Sequence, residues 1–111
     1  QMCIRDSSYT FEGAEGFQKM QAIMHKLRQT PLEKIGTRTV IEVKDYQCGI
    51  NNLPKSDVLK YLLEGDASVV IRPSGTEPKM KLYLSVSAEN REDAERLENI
   101  MVQDFKKIFD Y

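Results

Sequence analysis

Phe17, Met20, Ile23, Met24 and Leu27 recur at spacings of three and four, so one helix over Gly13–Gln29 would place them on a single face toward a core. Thr30-Pro31 ends it, because the residue before proline avoids helical backbone. The β-branched run Thr37, Thr39, Val40, Ile41 and Val43 predicts a strand over Thr37–Tyr46, with Glu42 and Lys44 turned to solvent. Gln47–Ser56 carries Gly49, two asparagines and Pro54, and reads as a connecting loop. Val58–Leu63 and Ser68–Arg72 flank the turn signal Glu64-Gly65-Asp66-Ala67 and predict a hairpin. In Lys81–Ser87, Leu82, Leu84 and Val86 alternate with polar or amphipathic residues, the mark of a half-buried strand. Asn90 is a good N-cap for a last helix, and Glu92 and Asp93 suit the positive end of its dipole. Its apolar stripe is Ala94, Leu97, Met101, Phe105 and Ile108; Glu95, Arg96, Glu98, Lys106 and Lys107 form the wet face.

These elements predict an α+β fold in the order α-β-β-β-β-α. Its sheet is four-stranded and mainly antiparallel, because short links join the last three strands, and both helices pack on one face. Residues 1–10 fit no periodicity and are expected to be a disordered leader: an expression remnant, translated non-native sequence or a piece of linker. Residues 11–111 make the single domain.

A chain of 111 residues buries a modest core. Its net charge of −1 gives no global attraction for nucleic acid or an anionic membrane, so any affinity for anions must be local. No apolar run approaches the roughly 20 residues that span a bilayer. Cys3 and Cys48 have no metal-ligand spacing with the single histidine, His25, so no metal site is expected. Reduced thiols in a cytoplasm are the expectation. His25 lies off the apolar stripe, without a visible catalytic partner.

The chemistry concentrates between the last two strands, in Arg72-Pro73-Ser74-Gly75-Thr76-Glu77-Pro78 followed by Lys79-Met80-Lys81. Arg72 offers a planar fork of donors for two oxygens of one oxyanion. Ser74 and Thr76 add hydroxyls, and Gly75 can take positive φ, which would turn the amides of residues 74–76 into one concavity. Pro73 and Pro78 stiffen both ends. Ser-Gly alone is most often a plain turn, chosen for conformation. The whole heptapeptide changes that weighting: it closely resembles the phosphate-binding loop of the α-D-phosphohexomutase family. Leu53-Pro54-Lys55-Ser56-Asp57-Val58-Leu59-Lys60-Tyr61 is similar to the phosphoglucomutase branch of that family. Pro73 and Lys81 also favour the phosphoglucomutase or phosphomannomutase branch over the amino-sugar enzymes.

The resemblance covers about Phe11 to the C-terminus, and only the family's last domain. It implies a substrate-phosphate site of Arg72, Ser74, Gly75, Thr76 and Lys81, with no catalytic and no metal residue in this chain. The full-length enzyme it implies interconverts sugar 1-phosphate and 6-phosphate, using a phosphoserine, Mg²⁺ and a sugar bisphosphate activator. The Ser-His-Asn and Asp-Gly-Asp motifs for those steps are absent here, so the isolated chain is expected to be inactive. The expected partners are the phosphosugar and the enzyme's other domains. The competing expectation is a stand-alone small-molecule-binding or interaction module.

Overall fold

The computed structural model describes residues 2–48 and 56–111. Most of the predicted 47–56 loop, and the thiol of Cys48, lie outside the described residues. In chain order the elements are β1 (Met2–Thr10), α1 (Gly16–Gln29), β2 (Lys34–Ile35), β3 (Arg38–Asp45), β4 (Leu59–Leu63), β5 (Ala67–Pro73), β6 (Lys79–Ser87) and α2 (Arg91–Phe109). A 3-10 turn at Tyr46–Cys48 follows β3.

The sheet has six strands, not four, in the order β1-β6-β5-β4-β3-β2, with every neighbouring pair antiparallel. Both extra strands lie at its edges. β2 is only two residues long, too short for a period to register. β1 is the stretch expected to be a disordered leader; it pairs with β6 from Met2↔Ser87 to Thr10↔Lys79. Its residues carry little apolar alternation, and the outer ladder of β6 supplies the order instead.

The core lies on one face of the sheet. Leu59, Tyr61 and Leu63 on β4, Val69 and Ile71 on β5, and Met80, Leu82, Leu84 and Val86 on β6 are all buried. Met20, Ile23, Met24 and Leu27 of α1 join the same cluster, as do Ala94, Leu97, Met101, Val102, Phe105 and Phe109 of α2. Two expectations about faces fail. Phe17 is 43% exposed, because α1 starts only at Gly16 and its first turn overhangs the cluster. Glu98, assigned to the wet face, is 4% exposed, because β1 covers that side of α2. β3 also departs from simple alternation: a register shift between Val40 and Glu42 leaves Ile41 67% exposed.

Local signals set the ends of the elements. Asn90 Oδ1 accepts the Asp93 N–H at 2.9 Å, capping α2. The β4–β5 turn runs through Gly65 and Asp66, both at positive φ. Arg38 holds that turn against β3 by donating to the carbonyls of Glu64 (2.8 Å) and Gly65 (3.3 Å). Beneath α1, Arg28 binds Asp45 through Nε (3.0 Å) and Nη2 (3.2 Å) and lies 2.7 Å from Asp57 Oδ1. Desolvation is the largest influence on this guanidinium and works against its charge; the bonds to Asp45 and Asp57 outweigh it, and its pKa rises. Tyr61, wholly buried nearby, has its phenol pushed up to about 12, chiefly by desolvation.

Burial also raises the Glu98 carboxyl pKa, an effect that Arg5 opposes and Glu95 reinforces. A carboxyl that binds its proton more tightly when folded stabilises the fold below the ordinary carboxylate range. That contribution is lost as pH rises through the elevated folded value. Glu98→Gln should therefore melt above the parent chain at pH 7, with the gap closing as pH falls toward about 4. Thermal melts across that range check this; a gap that stays constant or reverses sign refutes it.

Candidate phosphate-binding loop

The β5–β6 hairpin decides where each loop residue sits. Ile71↔Leu82 and Pro73↔Met80 pair on the core face, and Arg72↔Lys81 pair on the opposite, helix-free face. Both cations are exposed. Directly opposite residues have Cβ atoms about 4.5–5.5 Å apart, and like charges placed so are destabilising. Among the described residues no carboxylate pairs with either one. An anion placed between them would relieve that repulsion.

The loop between the strands is closed by its own bonds. The Ser74 N–H donates to the Lys79 carbonyl at 2.8 Å, and the Lys79 N–H donates to the Glu77 carbonyl at 2.7 Å. Ser74 Oγ accepts the N–H groups of Glu77 (3.2 Å) and, more weakly, Thr76 (3.4 Å). With its lone pairs so engaged, the Ser74 hydroxyl has its proton left to donate outward. Glu77 pairs with Lys79 at 3.5 Å, which keeps that carboxylate on the loop's own cation. The expected concavity of three amides does not form in this state. Gly75 is not at positive φ, Ser74 spends its N–H on the hairpin neck, and only the Gly75 N–H lacks a protein acceptor.

Packing fixes the loop from behind. The Phe11 N–H donates to the Pro78 carbonyl at 2.7 Å, tying the end of β1 to the end of the loop. Gly16, the first residue of α1, lies so close that an added Cβ would collide with the Phe11 carbonyl oxygen and come within 2.9 Å of Pro78 Cβ. A cavity of about 220 Å³ separates α1 from the loop, lined by Phe17, Met20 and Gln21 on one side and Pro73, Ser74 and Gly75 on the other. Asp57 also lines it. Its carboxylate is engaged by Arg28 at 2.7 Å and offers an oxyanion no donor. Sequence reasoning had no signal for the parts played by Phe17, Asp57 and Gly16, because each depends on where α1 lands. A larger cavity of about 440 Å³, beside Arg38, Ser87 and Arg96, lies at the far end of β6.

The family model for the C-terminal domain of phosphoglucomutase/phosphomannomutase matches residues 12–106. The chain belongs to that family. A Staphylococcus aureus phosphoglucomutase is 37% identical over 106 residues, covering 86% of this chain and 19% of the relative. A Staphylococcus epidermidis phosphoglucomutase is 42% identical over 96 residues, covering 75% of this chain and 17% of the relative. The chain thus spans about a fifth of the curated relatives it matches. Among solved structures, the open form of the exocytosis-sensitive phosphoprotein pp63/parafusin from Paramecium, a phosphoglucomutase, superposes with a TM-score of 0.57. That match covers 99% of this chain and 20% of the other at 17% identity, a likeness of fold. The matched residues take in α1, β2 to β6 with their loop, and most of α2.

The contact at Gly16 yields a direct test. Gly16→Ala should cost about 1–3 kcal/mol, the usual range for overpacking. It should also shift the backbone resonances of Pro78 and its neighbours, because Pro78 is one of the groups the new methyl meets. Unchanged stability with an unmoved loop would show that α1 does not brace it.

Proposed function

We propose that this chain is the substrate-phosphate-binding domain of a phosphoglucomutase/phosphomannomutase-type enzyme that interconverts sugar 1-phosphate and 6-phosphate. The unneutralised Arg72–Lys81 pair beside the Ser74–Thr76 tip carries the reading. Arg72 grips two phosphate oxygens through its fork, and Lys81 adds charge from the neighbouring strand. The Ser74 hydroxyl, the Gly75 amide and the Thr76 hydroxyl complete the donor set. Holding the phosphate that does not react positions the distant sugar hydroxyl, so binding energy remote from the chemistry appears as rate.

The 111-residue chain is then a binding part and does not catalyse alone. Among the described residues no group of three or more His, Cys, Asp or Glu could hold a metal ion. Mg²⁺ and a sugar bisphosphate activator are needed by the full-length enzyme, whose other domains are, with the phosphosugar, the chain's partners in this reading. Nucleic acid and membranes are not partners in this reading, and the enzyme is cytoplasmic. No helix among the described residues is long and apolar enough to cross a membrane.

Two measurements test this. Charge-assisted hydrogen bonds contribute roughly 1.5–3 kcal/mol each, against a cost of association of several kcal/mol. The chain alone should therefore bind glucose 6-phosphate with a Kd of about a millimolar, near −4 kcal/mol. In an NMR titration the amides of Ser74, Gly75 and Thr76 should move first; shifts centred on the outer face of α1 would reject the loop as the site. In the full-length enzyme, Arg72→Lys keeps the charge and loses the fork. Both kcat and kcat/KM should fall. A raised KM at unchanged kcat would leave Arg72 as simple electrostatic attraction.

A further inference from the structure

The Arg72–Lys81 pair is not the only cross-strand pair of cations on the helix-free face. Lys44 on β3 lies directly opposite Lys60 on β4. Lys60 is in turn opposite Val70 of β5, and Val70 is opposite Tyr83 of β6. Arg72 and Lys81 occupy the next row of the same face, two residues along each strand. Lys60 and Arg72 are thus diagonal neighbours, a separation of about 7–8 Å that long side chains span. Val70 and Tyr83, both half-buried, form an apolar floor with Lys44 and Lys60 on one flank and Arg72 and Lys81 on another.

Elsewhere among the described residues Lys19, Arg28, Lys79, Arg91 and Arg96 make ion pairs, while Arg5, Lys26, Lys34, Arg38, Lys106 and Lys107 do not. Among the described residues these four on the open face make none. The carboxylates sharing the face are Glu42, opposite Leu62, and Asp6, opposite Tyr83, and neither reaches any of the four as an ion pair. What sets these four apart is their register: two cross-strand cation pairs in adjoining rows of one face. Lys44 and Lys60 are also half-buried, so their stems lie along the sheet and their positions are restricted.

We propose that Lys44 and Lys60 form a second anion subsite, and that the open sheet face takes a sugar carrying two phosphates. One phosphate sits at the loop with Arg72 and Lys81, the ring lies over Val70 and Tyr83, and the other phosphate meets Lys60 and Lys44. This rests on the loop being a phosphate site. It adds that the domain prefers a bisphosphate to a monophosphate and can retain a doubly phosphorylated sugar by itself.

Calorimetry or NMR at fixed ionic strength tests it on the 111-residue chain, with glucose 1,6-bisphosphate and glucose 6-phosphate as probes. The parent chain should bind the bisphosphate about tenfold more tightly, the return expected from one further charge-assisted contact. Lys44→Gln with Lys60→Gln should bring the two affinities toward parity and leave the monophosphate value unchanged. Lys60→Arg should keep the preference, and Lys107→Gln, on the exposed side of α2, should alter neither. A preference that survives the double substitution overturns the second subsite while Arg72→Ala still weakens both ligands. Monophosphate binding that is indifferent to Arg72→Ala overturns the loop reading itself.

Discussion

Everything at the candidate site depends on the register of one hairpin. Side chains alternate along a strand with a period of two, so Val69, Ile71, Leu82 and Leu84 can be buried only if Arg72 and Lys81 emerge on the other side. A slip of one residue would drive two cations into the core and four apolar side chains into water. Burying a Val, Leu or Ile side chain is worth about 1.5–3 kcal/mol, while an unpaired buried charge costs considerably more. The apolar pattern therefore holds the charged pair in place, although the charges repel each other.

The second constraint is support from outside the hairpin. A five-residue loop, Ser74–Pro78, has many conformations, and ordering it on binding costs entropy. Part of that ordering is present without a ligand: the neck bond from Ser74 to Lys79, the acceptor role of Ser74 Oγ, and the bond from Phe11 to Pro78. The bare approach of Gly16 to Phe11 and Pro78 sets α1 against the loop's far end. At the other end of α1, Arg28 bridges Asp45 of β3 and Asp57 before β4. The helix is pinned to the sheet at both ends, and the loop rests on that frame. A rigid scaffold carrying a short polar loop is the arrangement on which binding sites are usually built.

The two faces of the sheet are chemically opposite. One is filled by both helices and excludes charge, apart from the Arg28 cluster and Glu98 at its margins. The other carries no helix among the described residues and is half-apolar and cationic. A helix laid across it would bury Lys44, Lys60, Arg72 and Lys81 without partners.

Much of this was legible in the chain itself. The helical stripes of α1 and α2, the Asn90 cap and the three strands β4 to β6 follow from period and composition, which act over a few residues. So do the donor types of Arg72, Ser74 and Thr76, since these are properties of single residues. Tertiary structure decided the rest. The sheet has six strands because β1 and β2 are ordered by the neighbours they pair with, and their own sequences carry little sign of it. Glu98 is buried because β1 lies over it, a contact between residues far apart in the chain. Gly75 keeps ordinary backbone and Ser74 Oγ takes the amides of Thr76 and Glu77, so the predicted concavity does not form. Alignment of Lys44 with Lys60, two strands from Lys81, follows from register across β3 to β6 and a bulge after Val40. Sequence records which residues prefer which backbone; it does not record which strands meet, and the open face exists only once they do.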